Sequence, residues 1–184
     1  MYSGLPVQKP ETGELDTLPV LPELLKRLAA ARVHFGVYKN VATLNKAAAG
    51  LSDFDIIVAP EDAEPFFRVM DEMSAVLGVS HPLYDNAVPG RQDWFVPDAD
   101  GGYLHLDVSF GLYVGLKFNK RYRALDFRDI ADWQARAVSD ALLPVVSAQE
   151  EARIAVLRSV FRLGGSTAGG WTKVDSAAQE PSAF

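Results

Sequence analysis

Helical spacing of apolar residues marks three segments of the chain. Apolar side chains recur every three or four positions over Leu21–Ala29, Glu61–Leu77 and Ser147–Leu163, which predicts a helix in each. A glycine follows the second segment and predicts its end. Ser147, with Glu150 three residues later, forms a capping box, so the third helix is predicted to begin there.

Short apolar or alternating segments predict five strands. They span Val33–Tyr38, Phe54–Val58, Gly78–Tyr84, Gln92–Val96 and Tyr103–Phe110. The connection 39–52 is predicted to be partly helical, and short helices are predicted within 126–140. Because helices and strands alternate irregularly rather than as a βαβ series, the pattern indicates an α/β domain of the α+β kind, with helices packed on a mixed β-sheet.

The pattern predicts one domain with two unstructured ends. A chain of 184 residues has room for a single domain with a core. Residues 1–18 lack periodicity and are interpreted as a flexible leader, and residues 19–163 carry the pattern of the domain. Residues 164–184 are small and polar without a core pattern, which is typical of a disordered tail.

Composition narrows the classes of function. The chain has no cysteine, which excludes disulfides, thiolate zinc sites and cysteine nucleophiles. A net charge of −6 argues against broad binding of nucleic acid, which needs a basic surface. No segment approaches the roughly 20 apolar residues that cross a bilayer, and the start of the chain lacks the pattern of a signal peptide. We therefore expect a cytoplasmic protein without a membrane partner.

The first candidate chemistry lies at the start of a predicted strand. Side chains alternate across a strand, so Asp53 and Asp55 project from one side and Phe54 and Ile56 from the other. Two carboxylates so placed can bind one hard cation through oxygen. A solvated loop end is the alternative interpretation, and a second Asp-x-Asp in the chain, at Asp98, lies in an evident turn.

A third carboxylate lies inside a later predicted strand. In Tyr103–Phe110 the side chains of His105, Asp107 and Ser109 share one face. An ionised carboxylate in a buried strand needs a partner, and beside Asp53 it would complete a three-carboxylate metal site. The alternative is a strand with one solvated face. His105 is a candidate for orienting a substrate or binding the metal, again with a solvated face as the alternative.

These segments resemble the nucleotidyltransferase superfamily of the polymerase-beta type. The matching parts are the strand Val33–Tyr38, the Gly50–Ser52 approach to Asp53–Val58, and the later strand Leu104–Val108. The segment Leu143–Glu151 is similar to the junction that leads such domains into a helical region. The chain is most similar to bacterial nucleotidyltransferase-like proteins in which the first strand ends in a lysine.

The resemblance implies a fold, cofactors and roles for residues. It implies a nucleotidyltransferase-like fold and two Mg²⁺ ions, with Asp53 and Asp55 on the metals and the triphosphate. It implies that Asp107 is a metal ligand and also the base that activates a hydroxyl of the acceptor. The candidate nucleotide-binding residues of this chain are Lys39, Asn40 and Ser52. Lys39 could act as a point charge for phosphate, and an exposed lysine after a strand is the alternative interpretation. The implied reaction moves a nucleoside monophosphate from a nucleoside triphosphate to a hydroxyl of a small molecule, sugar or protein.

One departure from the family pattern leaves three hypotheses open. Most members have Gly-Ser or Gly-Gly after the first strand, where this chain has Lys39-Asn40. The chain is then an active Mg²⁺-dependent nucleotidyltransferase, or a catalytically degenerate binding or regulatory module. The third hypothesis is a toxin–antitoxin-type domain acting on RNA or a partner protein, and the negative net charge argues against RNA.

A basic segment with aromatic residues follows the strand of Asp107. Lys117, Lys120 and Arg121 are candidate substrate contacts for a phosphate or an acceptor. A solvated surface is the alternative interpretation for these residues. A protein partner or an oligomer stays open.

Overall fold

The computed structural model describes residues 7–8, 16–78, 90–116, 121–125, 129–138 and 141–160. Its α-helices are α1 (Val20–Ala30), α2 (Leu44–Ala48), α3 (Ala63–Glu72) and α4 (Ala148–Val160). Short 3₁₀ turns precede two of them, at Val41–Thr43 and Pro60–Asp62. The predicted helical character of the 39–52 connection is therefore confirmed.

The strands of the described ranges form one large mixed sheet and one hairpin. They are β1 (Val7–Gln8), β2 (Phe35–Val37), β3 (Asp53–Val58), β4 (Val76–Gly78), β5 (Arg91–Pro97), β6 (Tyr103–Phe110), β7 (Leu112–Leu116), β8 (Arg121–Leu125), β9 (Trp133–Val138) and β10 (Ala141–Val146). The large sheet has the order β1-β9-β10-β2-β3-β6-β5-β4, and β7 pairs with β8. Strands β3 and β6 run parallel, whereas β2 and β5 run antiparallel to these neighbours. The predicted mixed sheet with packed helices is confirmed.

The apolar core lies between α1, α3 and one face of the central strands. Phe54, Ile56 and Val58 of β3 are buried, as alternation predicts. On the same face, Phe66 of α3 packs edge-on against Phe110 of β6, with ring centroids 5.6 Å apart. Since this face is filled by helices, the polar side chains of β3 and β6 project from the opposite face.

The second predicted helix is shorter than expected. It ends at Glu72, because Ser74 adopts a left-handed conformation with φ of 54° and reverses the chain. The N–H of Ala75 then donates to the Met70 carbonyl at 2.9 Å. The residues that follow form β4 against β5, so the apolar periodicity that continued to Leu77 belongs partly to a strand.

The prediction of short helices within 126–140 is wrong for the last part of that range. Trp133–Val138 is β9, which pairs antiparallel with β10 along its whole length. Val138 is the only β-branched residue of this segment, so its composition does not favour a strand. The pairing with β10 outweighs this local propensity. Residues 126–128 and 139–140 lie outside the described residues.

The two predicted ends fall mainly outside the described residues. Val7–Gln8 pairs in parallel with β9, and the other residues up to 15 are not among those described. Neither are 79–89, which contain most of one predicted strand, nor the predicted tail. None of the helices in the described ranges has the length and apolar character needed to span a membrane.

Candidate functional site

Three carboxylates lie together on the sheet face opposite the core helices. The parallel register of β3 and β6 places Asp55 beside Asp107 and Asp53 beside His105. One carboxylate oxygen from each of Asp53, Asp55 and Asp107 lies within 4.8 Å of the others. Asp55 and Asp107 are fully buried and Asp53 is half-buried. The strand alternation read from the sequence therefore brings the three acids to one place.

Lys39 and Asn40 bind the carboxylate of Asp55. The Lys39 ammonium contacts Asp55 Oδ1, and the Asn40 side-chain amide donates to Asp55 Oδ2. Asn40 is left-handed with φ of 58°, a conformation that asparagine tolerates better than most residues. Its backbone N–H donates to the Glu151 carboxylate of α4 at 2.8 Å. The segment after β2 is thus turned toward the acids and held there.

Arg91 forms a two-pronged ion pair with Asp107. Its Nε lies 2.7 Å from Asp107 Oδ1 and its Nη2 lies 2.5 Å from Oδ2, while Lys39 Nζ lies 3.4 Å from Oδ2. The sequence pattern does not indicate Arg91 as a site residue, because a single arginine at a strand start has no motif around it. Only the antiparallel register of β5 on β6 reveals the contact. This register pairs Asp93 with Asp107, so that Arg91 is the diagonal neighbour of Asp107.

Burial and neighbouring charges shift the pKa values of the two buried carboxyl groups, Asp55 and Asp107, in opposite directions. Burial raises the pKa of Asp55 to about 6, against the opposing effect of Lys39. Burial would also raise the pKa of Asp107, but Lys39, a hydrogen bond with Asp55 and the Arg91 guanidinium hold it below its ordinary value. The pKa of Lys39 is raised, because Tyr38 and the two carboxylates outweigh burial. When the pair shares one proton, that proton belongs to Asp55.

The donor set fits a hard divalent cation. Three carboxylates supply the oxygen ligands that Mg²⁺ prefers. Asp55 Oδ1 is buried and accepts no hydrogen bond from the described residues, its neighbour being the Lys39 ammonium. Among the same residues the Asp53 carboxylate has no hydrogen-bond or ion-pair partner. With all three carboxylates ionised, the positive charges of Lys39 and Arg91 balance two of them, and one negative charge of the cluster is not balanced.

The other predicted site residues are placed differently. His105 Nε2 lies 2.9 Å from Asp93 Oδ1 and its ring stacks on Phe95, so it faces β5 rather than the three acids. The Ser52 hydroxyl donates to the Asp53 backbone carbonyl at 3.3 Å. Lys117 and Lys120 lie outside the described residues. Arg121 begins β8, and the structure describes only its backbone.

Aromatic residues and a further cation border the site. Trp133 covers Gly36 so closely that a Cβ there would lie 2.1 Å from its ring. Buried Tyr38 has Lys39 Nζ at 5.7 Å and the Arg158 guanidinium of α4 at 5.9 Å from its ring centroid, both within cation–π range. Arg158 thus adds a third cation, beside Lys39 and Arg91, at the border of the carboxylate cluster.

The second Asp-x-Asp has a structural role. Asp98 accepts the N–H of Val20 at 2.9 Å, at the start of α1. Its backbone N–H donates to the Gly102 carbonyl and closes the turn between β5 and β6. The expectation that this pair belongs to a turn is confirmed.

Comparison with known proteins identifies the fold. No protein-family model and no curated protein matches the sequence. The structure is similar to the crystal structure of an antigenic nucleotidyltransferase-like protein from Paracoccidioides brasiliensis, with a TM-score of 0.52 and 13% sequence identity. The similarity covers 86% of this chain and 73% of that one. The chain thus has a nucleotidyltransferase-like fold.

Proposed function

We propose that the domain is a Mg²⁺-dependent nucleotidyltransferase. It would transfer a nucleoside monophosphate from a nucleoside triphosphate to a hydroxyl of a small molecule, sugar or protein. The observation that carries this proposal is the cluster of Asp53, Asp55 and Asp107 on adjacent parallel strands. An aspartate pair on one strand and a third acid on the next is also the pattern of the superfamily that the sequence resembles.

The three carboxylates are the groups that would hold the metal. We expect two Mg²⁺ ions, which when bound stabilise charge on the attacking and leaving oxygens of an in-line displacement. Asp53 and Asp55 would contact metal and triphosphate, and Asp107 would contact metal and acceptor. Lys39, Arg91 and Arg158 carry the positive charge available for phosphate oxygens, while Asn40 and Ser52 lie beside Asp55 and Asp53.

The reaction needs one proton acceptor. The acceptor hydroxyl oxygen forms a bond to the α-phosphorus, the bond from that phosphorus to the bridging oxygen breaks, and pyrophosphate leaves. The hydroxyl proton passes to the Asp107 carboxylate. Because the Asp107 side chain is fully buried under Arg91 and Lys39, it can act as the base only after these cations move from it.

Calorimetry with metal and nucleotide tests the proposal. Mg²⁺ with each of the four ribonucleoside triphosphates is titrated into wild type and into Asp53→Asn/Asp55→Asn. We expect metal-dependent binding of at least one triphosphate by wild type and none by the double variant. Asp71→Asn/Asp100→Asn removes two exposed carboxylates elsewhere and serves as the charge-matched control. Equal binding by all three proteins, or by none, would contradict the proposal.

A second candidate is a degenerate module that keeps the fold without turnover. Two observations favour it: Lys39-Asn40 stands where the family has Gly-Ser, and ion pairs to Lys39 and Arg91 already satisfy the inner carboxylates. The two candidates differ in metal-dependent consumption of the triphosphate. Pyrophosphate release with a suitable acceptor would identify the enzyme, and binding without release would identify the module.

A further inference from the structure

Two side-chain cations hold the carboxylate oxygens that a metal would bind. Lys39 contacts Asp55 Oδ1 and approaches Asp107 Oδ2, and Arg91 takes both oxygens of Asp107. With Asn40 on Asp55 Oδ2, every oxygen of the two buried carboxylates faces a side-chain donor. Asp53 differs, since its carboxylate has no such partner among the described residues.

We propose that Lys39 and Arg91 are resident counter-ions, which a divalent metal must displace, so that metal and phosphate enter the site together. The inference rests on the proposed function, because it concerns the same metal site. It adds two positioning residues that control when the metal binds. Asp53, half-buried and without a counter-ion in the described ranges, is the ligand open to an arriving cation.

Electrostatics makes simultaneous occupancy unfavourable. A cation bound by the oxygens of Asp55 and Asp107 shares them with an ammonium and a guanidinium, and like charges at such distances repel strongly away from bulk water. The displaced Lys39 and Arg91 then need new anionic partners. Phosphate oxygens supply them, since arginine and lysine both bind phosphate well.

The two side chains differ in how easily they can leave. The Arg91 side chain is 39% exposed, so its guanidinium can turn toward solvent without opening the core. The Lys39 side chain is only 17% exposed and lies against the Tyr38 ring. Arg91 is therefore expected to move first and uncover Asp107, the proposed base.

Thermodynamic linkage gives this arrangement a measurable signature. If metal and phosphate each favour the state in which the cations have left, each must tighten the binding of the other by the same factor. Metal alone then binds wild type weakly, and the preformed metal–phosphate complex binds it well. Removing one resident cation increases the affinity for metal alone.

Titration of Mn²⁺ alone, followed by the spin-resonance signal of free Mn²⁺, tests the inference. We expect Lys39→Met and Arg91→Met to bind Mn²⁺ at least about tenfold more tightly than wild type. Lys39→Arg and Arg91→Lys keep the charge and are expected to resemble wild type. Arg27→Met removes an arginine that pairs with Glu23 and Glu72, remote from the three acids, and is expected to change nothing.

A second titration uses the preformed Mg²⁺–tripolyphosphate complex, which needs no knowledge of the base. Equal Mn²⁺ affinities in wild type and the methionine variants would overturn the counter-ion inference and leave the metal site standing. Tight Mn²⁺ binding by the variants, with no binding of metal or complex by wild type, would support the role of Lys39 and Arg91 as counter-ions, but it would overturn the joint entry of metal and phosphate and contradict the proposed function. No metal binding by any of these proteins would overturn both. An equal gain in Arg27→Met would show a general charge effect and overturn the inference.

Discussion

The pKa of Asp55 depends on opposing effects of burial and of neighbouring charges in the site. Asp55 sits on a strand between two apolar residues, and its side chain is fully buried beside Asp107. Burial disfavours the charged form, and the neighbouring carboxylate adds to this effect, whereas Lys39 opposes it. The outcome is a carboxyl that holds its proton more firmly than an aspartate in an unfolded chain.

This imbalance predicts how stability depends on pH in metal-free buffer. The pKa of Asp55 is about 6 in the folded chain and 3.8 as an ordinary value, so between these pH values the folded state holds a proton that the unfolded state lacks. The stabilisation is complete below about pH 4 and is lost as the pH rises through 6. Relative to Asp55→Asn, wild type should lose about 1–3 kcal/mol of unfolding free energy between pH 4.5 and 7.5.

Denaturant unfolding at several pH values measures this difference. Asp107 does not interfere, because its lowered pKa keeps it ionised across the window and its own stabilisation is lost only at more acidic pH. A constant difference between wild type and Asp55→Asn from pH 4.5 to 7.5 would contradict a raised pKa for Asp55.

At the scale of elements, α4 is connected to the site through its first turn. Ser147 Oγ accepts the N–H of Glu150 at 3.2 Å, as the capping box predicts. The reciprocal half is not formed, because the Ser147 N–H donates to the Asp132 carbonyl and the Glu150 carboxylate pairs with Arg153. The next residue, Glu151, accepts the N–H of Asn40, so the start of α4 helps to hold the segment after β2.

Removing the cap should destabilise the domain measurably. Ser147→Ala leaves a helix N–H without its acceptor in a buried position and is expected to cost about 1 kcal/mol in urea unfolding. Ser52→Ala also deletes one hydroxyl, but this hydroxyl caps no helix, and we expect a change within about 0.5 kcal/mol. Equal stability of Ser147→Ala and wild type would show that the hydrogen bond contributes nothing.

Local pattern was sufficient for the elements that carry the acids. Alternation in Asp53–Val58 and Tyr103–Phe110 puts the aspartates on one face and an unbroken apolar row on the other, and it locates both strands and the side of each carboxylate. It was insufficient where distant pairing decides the structure. β9 forms because β10 lies beside it, and Arg91 reaches Asp107 through register across two strands. Neither the pairing of β9 with β10 nor the register of β5 on β6 can be read from a single sequence.

The whole molecule combines an acidic surface with a local cluster of cations. The net charge is −6, yet Lys39 and Arg91 contact the buried acids and Arg158 lies over the Tyr38 ring beside Lys39. The site therefore has charges for both a metal and a phosphate chain. The nucleotidyltransferase-like fold explains why β3 and β6 are adjacent and parallel, and thus why Asp107 meets Asp55 and Asp53, which lie 52 and 54 residues earlier in the sequence. We therefore expect these acids to bind divalent metal.

Anomalous diffraction from crystals containing Mn²⁺ and tripolyphosphate shows whether metal binds at the three acids. We predict anomalous peaks at coordination distance from Asp53, Asp55 and Asp107, with Arg91 and Lys39 moved from the carboxylates to phosphate oxygens. The absence of a peak at these residues, with both ion pairs still in place at saturating Mn²⁺ and tripolyphosphate, would contradict a metal site formed by these acids.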